Sequence, residues 1–147
     1  MAGGTSNNPI WKQTGEFIAF VVNETNGITL GLLTDLDTAT TGQVGIASDG
    51  TTVPIGVATS GPRTSRTATD NVVANGMTVT VCTRGVCYVT ASAAAITIGD
   101  LIQSAGSGYV KSLTLSAVTD VNKIVGRALS TAAGSATETI KALITIG

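Results

Sequence analysis

Ile96-Thr-Ile-Gly-Asp-Leu-Ile102, Gly106-Ser-Gly-Tyr-Val110 and Ile124-Val-Gly-Arg-Ala-Leu129 follow one another in the second half of the chain and decide the fold. Short apolar runs rich in β-branched residues alternate with glycine turns, with one long excursion before the last run. That is how a small closed β-structure is written. The first of these runs is expected to be a strand ending at Gly99-Asp100. An earlier stretch has the same plan: Thr41-Gly-Gln-Val-Gly-Ile-Ala47, the turn Ser48-Asp-Gly50, then Pro54-Ile-Gly-Val-Ala58. Both stretches contain Thr, Gly and an apolar residue, then a glycine turn, then apolar-Gly-x-Ala. The chain therefore reads as two related β-units.

Working outward, strands are expected at 16–22, 28–33, 43–47, 53–59, 77–82, 85–91, 96–102, 108–113, 123–129 and 138–146. Met77-Thr-Val-Thr-Val-Cys82 and Thr139-Ile-Lys-Ala-Leu-Ile-Thr-Ile146 alternate with period two, so each buries one face. Asn26-Gly27 predicts a hairpin returning 28–33 against 16–22. Segment 34–41 reads as a polar loop or one helical turn, 60–76 as a long exposed loop, and 91–95 and 132–134 as short helical turns. The fold class is all-β, a small barrel or sandwich of short strands with an extended N-terminal arm. Residues 1–15, polar but for the pair Ile10-Trp11, form the arm, and 16–147 form one β-rich domain.

Composition narrows the function. Of 147 residues, 43% are hydrophobic but only 12% are charged, about half the usual share, and 3% are aromatic. A surface so poor in charge fits either a Thr/Ser-coated β-protein or one covered by copies of itself or a larger assembly. The net charge is −1, with charges scattered singly, so nucleic acid is not an expected partner. No apolar run approaches the ~20 residues of a membrane span, and no membrane partner is expected. The first residues lack a positive leader and an apolar core, so synthesis in a cytoplasm is expected.

The chain has no histidine, which removes Ser-His-Asp and Cys-His catalysis and the usual metal sites. No cofactor, no metal and no enzymatic activity are expected. Asp35 and Asp37 flank Leu36 in a Thr-rich segment and read as a solvated or Asx-type turn, with a calcium-ligand pair as the alternative. Cys82 and Cys87 are read as buried free thiols. In a straight strand their odd spacing puts them on opposite faces; across a tight turn at 83–86 they would face each other. Arg84 and Arg127 each adjoin a glycine in a β-segment. They are either outward strand charges or subunit contacts, a role arginine favours. Trp11 is either a core residue or an anchor for a partner surface.

Residues 78–146 resemble tailed-phage capsid decoration proteins, also called cement proteins. The resemblance rests on Val79-Thr-Val-Cys-Thr-Arg-Gly-Val86, Ile96 to Ile102, Ile124 to Leu129 and the closing strand from Thr139 to Ile146. Ile55-Gly-Val-Ala58 looks like the family's first Gly-x-Ala element, while residues 1–40 depart from the pattern and read as an attachment device. The resemblance implies a non-enzymatic, usually trimeric protein on the outer surface of a virion, clamping neighbouring copies of the major capsid protein. With the residues above, it makes Ile10, Trp11, Arg84 and Arg127 the candidate partner contacts. Other readings are a head- or tail-fibre module and a carbohydrate-binding module; the scarcity of aromatic platforms disfavours the last.

Overall fold

The computed structural model describes residues 14–48, 54–62 and 71–146. The strands are β1 (Thr14–Val22), β2 (Ile28–Thr29), β3 (Leu33–Leu36), β4 (Gln43–Ile46), β5 (Gly56–Ser60), β6 (Val72–Val73), β7 (Thr78–Ala91), β8 (Leu101–Gly106), β9 (Tyr109–Ser112), β10 (Gly126–Ala128) and β11 (Glu138–Thr145). The fold is all-β, as the sequence predicts. The residues expected in the arm before Thr14, Ile10 and Trp11 among them, lie outside the described residues.

The long strand β7, Thr-Val-Thr-Val-Cys-Thr-Arg-Gly-Val-Cys-Tyr-Val-Thr-Ala, is dense in β-branched residues and organises everything else. Its first half belongs to a ring in which β1 pairs with β4, β4 with β3, β3 with β5, β5 with β7, and β7 with β1. Its second half belongs to another ring: β7 to β11, β10, β8, β9 and back, the last step a parallel bridge between Ala91 and Val110. Closure leaves each ring without a free edge inside its circuit. Of the two stretches with a shared plan, 41–58 supplies β4 and most of β5 to the first ring, and 96–129 supplies β8, β9 and β10 to the second.

Each ring has its own apolar cluster. Val22, Val44, Ala58, Val79 and Val81 fill the first, closed over by Ile28 and Val73 of the small β2–β6 ribbon. Val89, Ile102, Val110, Ala128, Ile140, Ala142 and Ile144 form most of the second. Leu33 and Val57 of the first ring, with Ala47 just past β4, join the second cluster, which therefore extends into the first ring. The turn between β8 and β9 completes the join. Gly108 donates its N–H to Ala47 and its carbonyl accepts from Leu33. A Cβ on Gly108 would lie 2.8 Å from the Cβ of Leu32, and its φ of 77° is in the left-handed region, so both space and backbone select glycine.

Several expectations change. The Asn26-Gly27 turn exists, with the Gly27 N–H bonded to the Glu24 carbonyl, but it does not fold 28–33 back on β1. β2 pairs with β6 instead, within the segment read as a loop over 60–76; Val72–Val73 is a strand because Ile28 and Val73 need each other's burial. The polar look of Thr34-Asp-Leu hides β3. Thr34 is fully buried, and its hydroxyl donates to the Gly56 carbonyl, which lets a polar side chain occupy the interior. The stretch 77–91 is one strand rather than two. Gly99-Asp100 starts a strand rather than ending one: the Asp100 carboxylate accepts from the Thr97 N–H, making a turn ahead of β8. Ile96 contributes a single bridge to Ala132. Neither 91–95 nor 132–134 is helical; among the described residues a helical turn lies at Val118–Lys123, inside the long excursion.

Candidate functional site: an outer sheet face and a projecting turn

β7 changes rings at Thr83. On β1, Glu16 pairs with Arg84 but Phe17 pairs with Cys82, so Thr83 is an extra residue, a bulge. Its hydroxyl donates to the Glu16 carbonyl at 3.3 Å. β5 pairs up to Cys82 and β11 takes over from Arg84. The inserted residue shifts the side-chain alternation by one. Cys82 and Cys87, an odd number apart, therefore both enter the second cluster as buried free thiols in contact. This resolves the two geometries left open by the spacing: the segment is neither straight nor a tight turn. The neighbouring Cys82 thiol, reinforced by burial, pushes the Cys87 thiol up from its ordinary value.

Past the bulge, β7, β11 and β10 present one outer face. The register sets Arg127 opposite Leu143 and Leu143 opposite Val86, with Arg84 opposite Thr145 on one side and Glu16 on the other. Residues opposite one another share a face, while Cys87, Ile140, Ala142 and Ile144 point inward and are buried. Arg84 and Arg127 are both exposed on this face, to either side of Leu143, itself 37% exposed. The structure thus brings two of the sequence-selected residues together with an apolar residue the sequence did not single out. The alternation of 139–146 identifies Leu143 as outward; its neighbours require the register. The guanidinium of Arg127 also donates to the Gly99 carbonyl, which fixes the side chain over the start of β8.

The second feature is the turn between β9 and β10. Asp120 is nearly buried, 6% exposed, within a segment whose neighbours face solvent. Its Oδ2 accepts from the N–H and hydroxyl of Ser116 and from the N–H of Ala117, at 2.9, 3.0 and 2.9 Å. Its Oδ1 accepts from Lys123 Nζ at 2.8 Å. Lys123, then the Ser116 and Ala117 donors, hold the carboxyl well below the usual carboxylate range. Around this hub the 3₁₀ turn Val118–Lys123 holds Val118 91% exposed, Val121 56% and the preceding Leu115 49%.

A polar cavity of about 310 Å³ lies beside Asn23, Glu24, Asp35 and Asp37. Its carboxylates have protein partners. Asp37 accepts from the Ala39 N–H at 2.8 Å, the Asx-type turn expected, and from Asn23 Nδ2 at 2.6 Å. Glu24 accepts from the Ile46 N–H at 2.8 Å. The Ala39 N–H foremost, then Asn23, lower the Asp37 carboxyl. Among the described residues no group of three or more Cys, Asp or Glu is gathered as a metal site.

A small closed all-β protein, whose distinctive features are outer surfaces, is the class this fold defines. The chain belongs to the structural cement protein family represented by E217 gp24 and Pam3 gp6, whose model matches residues 1–145. It is thus a phage structural protein with a capsid-stabilising role. The fold is similar to that of the head fiber gp8.5 N base of bacteriophage phi29, with a TM-score of 0.56 and 14% identity over 88% of this chain and 93% of that one. No curated protein matches the sequence.

Proposed function

We propose that this protein decorates the outer surface of an assembled phage capsid, bridges neighbouring copies of the major capsid protein and does so without catalysis, as a homotrimer. The family match over residues 1–145 is the observation that carries this reading. A cement stabilises by linkage: a ligand that binds only the assembled shell lowers its free energy by RT ln(1 + [L]/Kd), about 4 kcal/mol at a thousandfold excess over Kd. Bridging several subunits multiplies weak contacts.

Two sets of residues serve these contacts. The outer face around Leu143, with Arg84 and Arg127, fits self-association, because arginine beside an apolar centre is the composition of an interface core and its rim. Ile10 and Trp11, in the segment before β1 read as an arm, fit attachment to the shell. A net charge of −1 without a basic stripe supports a protein partner over nucleic acid. The likeness to the fiber base, at its level of identity, bears on the fold alone.

The test is co-sedimentation of the purified protein with undecorated shells of the phage's own major capsid protein, followed by thermal disruption of the pelleted shells. Saturable binding and a raised disruption temperature are expected. Absence of binding overturns the proposal.

A further inference from the structure

The turn at Val118–Lys123 has an unusual construction. Most exposed loops carry polar side chains, and a buried carboxylate is normally accompanied by a buried structure around it. Here a nearly buried Asp120 gathers four hydrogen bonds from its own loop, and the residues thereby fixed in place, Leu115, Val118 and Val121, present apolar side chains to solvent. Asp120 and Lys123, the two charged residues between Leu113 and Ile124, neutralise each other in an internal ion pair. The turn is therefore tied to Asp120, carries no net charge, and exposes Leu115, Val118 and Val121 with the uncharged Thr119 and Asn122 between them.

Those properties specify a partner. Ordering a loop on binding costs free energy, and an element already held in its bound shape avoids that cost. The three exposures together amount to about two full side chains, roughly 200 Å² of apolar surface. A stable pairwise interface needs about 800 Å² from each partner, so knob-to-knob pairing of two copies falls well short. A contact of this size becomes useful when many copies engage a repeating surface at once. We propose that the turn at 115–123 is a preformed apolar plug that inserts into an uncharged, concave site on the major capsid protein. The inference rests on the cement reading and adds to it a specific contact, separate from the Leu143 face.

The experiment compares wild type with Val118→Asp, Val121→Asp and, as a control at an exposed apolar residue outside the turn, Met77→Asp, each in the full chain. Binding to undecorated shells is measured by co-sedimentation across a concentration series, mass by light scattering and folding by circular dichroism. Val118→Asp and Val121→Asp are expected to fold, to keep the wild-type mass and to bind shells at least tenfold more weakly, with Met77→Asp binding as wild type. Wild-type binding by Val118→Asp overturns the plug and leaves the cement reading standing. Equal weakening by Met77→Asp overturns it as a general charge effect. A changed mass in Val118→Asp overturns it in favour of a second copy as occupant. Failure of the wild type to bind shells overturns both readings.

Discussion

Gly56 opens β5 and Gly126 opens β10, and want of room selects glycine at both. A Cβ on Gly56 would stand 2.4 Å from the Cys82 carbonyl oxygen, and one on Gly126 would stand 2.1 Å from that of Leu143. In each case a short strand crosses close to its neighbour, and the alanine two residues on, Ala58 or Ala128, is fully buried. The apolar-Gly-x-Ala pattern visible in the sequence is thus a packing device used twice. Gly126→Ala is expected to cost about 1–3 kcal/mol, because backbone rather than a movable side chain blocks the new methyl; the urea midpoint measures it, and an unchanged midpoint would show that β10 can shift freely. Asp120 makes a second prediction at this scale. Its carboxyl is held below the ordinary value, so the charged form is favoured in the folded protein. The contribution is fully present above the unfolded carboxyl value of about 3.9 and is lost as the pH falls from there toward the lower folded value. The Ser116 and Ala117 amide resonances are therefore expected to stay constant from pH 8 to about 4 and to move only below it. A midpoint at the ordinary value would mean that the Lys123 and backbone contacts are not maintained in solution.

At the scale of elements, β7 shows what a sequence displays and what it conceals. Period-two alternation in Met77–Cys82 and Thr139–Ile146 reveals strands, and each exists. The same alternation breaks at Thr83-Arg84-Gly85, and a break reads equally well as a turn or a bulge. Only pairing decides: β1 opposes β7 on both sides of Thr83, which holds the chain extended through the irregularity. β3 and β6 are hidden for a related reason. Thr34-Asp35 and Val72-Val73 have too few apolar residues to announce a strand, and their burial comes from partners far away in sequence, Gly56 and Ile28. Among the candidate contacts, Arg84 and Arg127 were legible as outward charges beside glycines, whereas their shared face needed the register of β10, β11 and β7. The 3₁₀ turn was not legible, because its organising Asp120 looks in sequence like any loop acid. Deleting Thr83 tests the bulge. Without it, the Glu16–Arg84 and Phe17–Cys82 pairs would follow each other in regular register, and Cys82, Cys87, Val89 and Ala91 would stay on one face. The deletion variant is expected to fold with a cooperative thermal transition, losing the local kink and the Thr83 hydrogen bond to the Glu16 carbonyl, about 0.5–1.5 kcal/mol for the bond. Absence of a cooperative melt would show that the change of rings at this point requires the extra residue.

For the whole molecule, two rings on one strand produce a body with closed circuits but little charge. Within each ring of described strands closure pairs the edges, so the proposed contacts are placed on exposed faces and turns. The outer face of β7, β11 and β10 is suited to self-association because an apolar residue, Leu143, stands between arginines that lie at different positions across the strands. In a cyclic trimer each copy gives one surface and receives another, so a single substitution on the face is repeated at every interface. Leu143 points outward and takes no part in either apolar cluster, which makes a polar replacement tolerable to the fold. Leu143→Asp is therefore expected to leave the circular dichroism spectrum and melting of the isolated body near wild type. Its mass by light scattering at micromolar concentration is expected to fall from three times 14.6 kDa to that of one chain. A buried aspartate at such a contact loses its hydration without a matched partner in the neighbouring copy, a cost of about 1–3 kcal/mol or more at each interface. Loss of the trimer should also weaken shell binding by removing the gain from simultaneous attachment, although the plug at 115–123 is untouched. A wild type that is already one chain in solution would rule out the homotrimer, and a Leu143→Asp variant that keeps the trimer would place the self-contact on another face.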